Sequence, residues 1–109
     1  MSLYKMWEWF NYHCFDGELV RPNILLYKSV KIGDDVVLGA YHPSLGIYIS
    51  YEAKNEPSYA EVLYHEMCHQ FACQEYDHYG HGPVFWEIYE EGIKRILALP
   101  ASTGYTATI

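Results

Sequence analysis

Positive charge is scarce in this sequence: its 109 residues carry 7 Lys and Arg against 14 Asp and Glu, a formal charge of −7. Phosphate neutralisation supplies most of the affinity of a nucleic-acid binder, so no strong intrinsic DNA binding is expected, only weak single-strand contact through Arg21, Lys28 and Lys31. Cysteine is scarce too. Cys14, Cys68 and Cys73 form no CxxC pair, which excludes a Cys-paired zinc ribbon and a disulfide framework and points to reduced thiols in a cytoplasmic protein. No apolar run approaches the ~20 residues of a membrane span, and no basic-then-apolar leader opens the chain. Repeats and low-complexity tracts are missing as well. What is abundant is apolar and aromatic side chain, 50% and 17% of residues, enough to fold one domain over residues 1–109 around its own core.

Periodicity divides the chain into helical and extended parts. Leu3, Met6, Trp7, Phe10 and Cys14 fall at i, i+3, i+4, i+7 and i+11, predicting an amphipathic helix over 3–15 that ends at Asp16-Gly17. From Pro22 the period shortens. Ile24–Tyr27, Val36–Leu38 and Ile47–Tyr51 read as β-strands separated by turn residues at Gly33-Asp34-Asp35 and His42–Gly46, giving a three-stranded antiparallel meander. Ser58 with Glu61 forms a capping box opening a helix over 59–75, its core face Ala60, Leu63, Tyr64, Met67 and Phe71. Pro83 starts a third helix running to about Leu99, with Phe85, Ile88, Tyr89, Gly92, Ile93, Ile96 and Leu97 buried. Glu87, Glu90, Glu91, Lys94 and Arg95 form its solvated face, where Glu90–Lys94 and Glu91–Arg95 are favourable pairs. The expected fold class is α+β: three helices and one small antiparallel sheet.

The chemistry concentrates in His65-Glu66-Met67-Cys68-His69, an HExxH pattern inside the second helix. Residues four apart differ by ~40° around a helix, so the His65 and His69 rings can converge on one Zn²⁺ with Glu66 beside them. A zinc held there lowers the pKa of its water to about 7, and Glu66 can take that proton and return it to a leaving amine. A third ligand is needed. The metzincin continuation fails, because Ala72 and Glu75 stand where Gly and His are required. Glu87 and Glu90 suit the spacing but face away from the core. Cys73 lies one turn beyond His69 and reads better as a packing residue. His78 sits mid-connection and reads as an exposed loop residue, whereas Gly82-Pro83 fixes the chain beside His81, making His81 the preferred ligand. Tyr76, Tyr79 and Arg95 are all candidate oxyanion stabilisers, and the sequence selects none of them. His13 and His42 read as surface or capping residues.

His65–His69 followed by His81-Gly82-Pro83-Val84-Phe85 resembles the SprT-like zinc metalloprotease domain, the family that includes the Spartan proteases. Phe10-Asn11, Phe15–Leu19 and Ile47–Ser50 resemble that family's first helix, its exit into the sheet, and the strand before the metal helix. The resemblance implies one Zn²⁺ per chain held by His65, His69 and His81, with Glu66 as catalytic base. It also implies a protein or peptide substrate, and among Spartan-type members that substrate is crosslinked to DNA, with nucleoid or nuclear association to match. This chain lacks those members' Cys-rich ribbon, and its connection from His69 to His81 is short. The function expected is a zinc-dependent endopeptidase. The alternatives are a zinc-stabilised interaction module without activity, or a hydrolase of a non-peptide amide such as a deformylase.

Overall fold

The computed structural model describes residues 2–53 and 56–100, the side chains of 56–58 excepted. Eight elements follow one another: α1 (Leu3–Cys14), β1 (Ile24–Tyr27), β2 (Val30–Ile32), β3 (Asp35–Val37), β4 (Gly39–His42), β5 (Gly46–Ser50), α2 (Glu56–Tyr76) and α3 (Pro83–Leu97). The class is α+β, as expected, but the sheet is not an antiparallel meander. β5 lies at its centre, antiparallel to β4 and parallel to β1, while β2 and β3 pair only with each other as a separate antiparallel hairpin. The reason is local. The Gly33-Asp34 turn closes a hairpin of its own, and Val30 alone anchors it in the interior. The chain therefore returns to the sheet along Gly39–His42, a segment too poor in β-formers to be read as a strand from composition.

α1 forms because Ser2 caps it, its hydroxyl accepting from the Lys5 amide at 3.1 Å, and because Met6, Trp7, Phe10 and Cys14 bury one face. Its exit is pinned by Asn11, whose amide side chain accepts from and donates to the backbone of Leu19. α2 begins at Glu56, ahead of the position that the Ser58 capping box would give it, and any cap made by the Ser58 side chain lies outside the described residues. This helix is central, packing against α1, α3, β4 and β5. That is why it shows little one-sided amphipathicity: Leu63, Tyr64, Met67 and Cys68 are fully buried, and Gln70 is buried by bonding Trp7 and the Val20 carbonyl. α3 ends at Leu97. Its Arg95 bonds both Glu91 (3.3 Å) and Asp16 (2.9 Å), tying α3 to the end of α1.

Gly92 sets how closely α3 approaches α2, since a Cβ there would sit 1.9 Å from the Tyr64 hydroxyl. With no side chain in the way, that hydroxyl donates to the Tyr89 carbonyl at 2.6 Å. Among the described residues no helix is long and apolar enough to cross a membrane.

Candidate metal centre

Two turns of α2 and one loop bring three imidazoles together. His65 and His69 project from one flank of α2, and His81 reaches them from the residue before Gly82, the N-cap of α3. Pro83 fixes the first helical position, so the loop enters α3 in a set direction. Nε2 of His81 lies 3.0 Å from Nε2 of His65 and 3.0 Å from Nε2 of His69. A ring nitrogen carries either one N–H or one lone pair, so it hydrogen-bonds well to only one such neighbour. The second contact is left to share the same proton or lone pair. A cation accepting all three lone pairs removes that conflict, and three imidazole nitrogens are a donor set Zn²⁺ takes readily.

The electrostatics agree with that reading. Burial, then the neighbouring His65, His81 and His78, holds the His69 ring down at about 4, and burial followed by His81 lowers His65. Both rings are thus neutral near pH 7, the form that ligates metals. Phe85, fully buried, makes their common floor, its ring 4.9, 4.4 and 4.9 Å from those of His65, His69 and His81. Packing of this kind orients the rings before any ligand arrives.

Beside the triad, Glu66 is only 6% exposed, and burial pushes its carboxyl up to about 8. It faces β4, where a Cβ on Gly39 would stand 3.2 Å from its Oε2 and 2.5 Å from Val62. The missing side chain at 39 makes the space in which the carboxylate lies. Triad and carboxylate together form one side of a cleft of about 720 Å³, closed by β4 and the β2–β3 hairpin on one flank and by Tyr89 on the other.

Over residues 3–103 the sequence matches the SprT-like family. The chain belongs to the SprT-like family. No curated protein and no solved structure matches it.

The SprT-like chain leaves its other ligand candidates out of the triad. Among the described residues the metal-sized cluster contains only His65, His69 and His81. Cys73 engages Tyr41 and Tyr79 instead, Cys68 is buried against Tyr64, and Glu87 and Glu90 are exposed on α3. His42 accepts from the Ser44 amide in a turn, and His13 stacks on Trp9. His78 departs from the expected exposed loop residue: it is half-buried, its ring packs over Gly82, and its buried Nε2 has no hydrogen-bond partner among the described residues. Of the three oxyanion candidates, Arg95 is held by Asp16 and Glu91, Tyr76 packs on Phe71, and only Tyr79 reaches the cleft. Two contributors escaped the sequence reading. Phe85 was visible as a core residue within His81–Phe85 but not as the floor of the site, and Gly39 left no signal because the strand carrying it was not recognised.

Proposed function

We propose that this SprT-like chain is a zinc-dependent metalloprotease whose substrate is a protein or peptide laid in the cleft. The observation that carries the reading is the convergence of three imidazoles beside a buried carboxylate at an open cleft. A closed structural site would want four protein ligands and has no use for such a carboxylate, which weighs against the interaction-module alternative. His65, His69 and His81 would hold the cation. Bound there, it would supply Lewis acidity and lower the pKa of an attacking water.

The chain's own residues do the rest. Glu66, which burial inclines to accept a proton, takes one from the attacking water at its carboxylate oxygen and delivers it to the amine nitrogen as the peptide C–N bond breaks. Gly39 and Val62 hold that carboxylate to one side of the rings. Phe85 keeps the rings oriented and excludes water from beneath them.

Family membership makes DNA-associated or DNA-crosslinked protein a reasonable substrate, with DNA affinity coming from elsewhere. Arg21 lies over the Tyr4 ring and 4.0 Å from Glu8, and Arg95 is paired twice, so few cations are left for phosphates and duplex binding by this chain should be weak. The test is zinc content followed by cleavage of labelled casein, with and without single-stranded DNA, for the parent and Glu66→Gln. Zinc with Glu66-dependent cleavage supports the reading. A zinc-loaded chain that cleaves nothing, or cleaves equally well as Glu66→Gln, overturns it.

A further inference from the structure

Tyrosines Tyr41 on β4, Tyr79 in the connection and Tyr89 on α3 line the cleft. Tyr41 and Tyr79 both have the Cys73 thiol as a neighbour of their hydroxyls. Tyr89 differs, since among the described residues nothing hydrogen-bonds its hydroxyl. Its ring is nonetheless fixed: it lies 5.0 Å from Tyr64 and 5.4 Å from Trp86, with its backbone carbonyl taken by the Tyr64 hydroxyl. A phenol on a packed helix, with its donor unspent, faces the space beside His65, whose ring is 6.3 Å away.

Its side of the cleft is decisive. At about 100° per residue, Val62 and Glu66 lie roughly 60° and 100° to one side of His65 on α2, and Glu61 and Cys68 roughly 40° and 60° to the other. The first flank faces Gly39 on β4. The second faces Tyr89, whose phenol senses both Cys68 and Glu61. Carboxylate and phenol thus stand on opposite sides of the same imidazole, as a base acting on the water and a donor acting on the substrate carbonyl must.

We propose that Tyr89 is a catalytic residue of this site, donating its phenolic hydrogen bond to the substrate's carbonyl oxygen as that oxygen gains negative charge. The assignment rests on the protease reading above. As the water oxygen bonds to the carbonyl carbon, the C=O π pair moves onto the carbonyl oxygen and Glu66 takes the water's proton; the C=O then re-forms as the C–N bond breaks, its pair leaving on the amine nitrogen that Glu66 protonates. Tyr89 keeps its own proton throughout. Its contribution is made in the transition state and not in substrate binding.

The experiment compares the zinc-loaded parent, Tyr89→Phe and Glu66→Gln by zinc content, thermal midpoint, casein kinetics and calorimetric affinity for phosphoramidon, whose tetrahedral phosphoryl group mimics the hydrated carbonyl. Tyr89→Phe keeps the ring, so fold and zinc content should match the parent. Its kcat should fall by about 10²-fold with KM little changed, and phosphoramidon affinity should fall with kcat. Unaltered kcat and phosphoramidon affinity in Tyr89→Phe, beside an inactive Glu66→Gln, would overturn the role of Tyr89 alone. A parent that neither cleaves casein nor binds phosphoramidon would overturn the protease reading and this one with it.

Discussion

The two walls of the cleft are built in opposite ways. On the helical wall, the side chains packed behind the imidazoles are locked into the interior: Phe85, Tyr64 and Met67 are fully buried, and α2 is covered by four neighbouring elements. On the hairpin wall, Ile32 is 58% exposed and Leu38 48% exposed, with a separate two-stranded sheet as support. Packing fixes side-chain direction to fractions of an ångström, which metal ligation demands. An exposed hairpin can change its residues without disturbing a core, which suits a surface that selects among substrates. The difference assigns chemistry to one wall and selection to the other.

The change with the largest expected effect acts on chemistry without touching either wall's packing. Glu66→Gln should lower kcat for casein by at least about 10²–10⁴-fold while zinc content stays at one per chain, as read by plasma emission spectrometry. Next comes the packing of the helical wall. Gly92→Ala would force a methyl into the Tyr64 hydroxyl, so urea denaturation should show a loss of about 1–3 kcal/mol. The equivalent insertion at the strand side, Gly39→Ala, meets Val62 and the Glu66 carboxylate and should reduce kcat more than it reduces stability.

These contrasts bear on what could be read from the sequence. The helical wall was legible because its signals are local: the 3.6 period of α1 and α3, Pro83 at a helix start, and two histidines four apart. Helix ends were less so, with α2 starting at Glu56 and α3 stopping at Leu97. The strand wall was not legible, since parallel pairing of β1 with β5 is a long-range choice, and β4 is a Gly-Ala-Tyr-His segment whose place comes from fitting against Val62 and Glu66. Side chains whose role is collective, Phe85 beneath three rings or Tyr89 across from Glu66, leave no spacing rule to find. His78 was misread for a related reason: burial over Gly82 is a property of the loop's path.

pH separates the walls further in metal-free protein. Burial pushes the folded-state pKa of Glu66 up to about 8, above the ordinary carboxyl value of 4.5. The folded state therefore holds this proton more tightly than the unfolded chain does, and the stability it contributes is complete below about 4.5 and lost as pH rises toward 8. Glu66→Gln removes that loss. In chelator-treated samples it should melt like the parent at pH 4 and above it at pH 9, by an amount on the order of a few kcal/mol at most. At the small end stands the hairpin, where Ile32→Ser, at a cleft-lining position that is already 58% exposed, should stay within about 0.5 kcal/mol of the parent yet alter which peptides are cleaved, a shift that profiling of casein fragments by mass spectrometry would detect.

The claim on which all of this depends is that three histidines, and no sulfur or fourth protein group, hold the metal. X-ray absorption at the zinc edge of the purified, zinc-loaded chain addresses it most directly. The expected spectrum fits three imidazole nitrogens at about 2.0–2.1 Å plus a non-protein oxygen, with the shell disrupted in His81→Ala. A sulfur at about 2.3 Å, or an unchanged shell in His81→Ala, would contradict it.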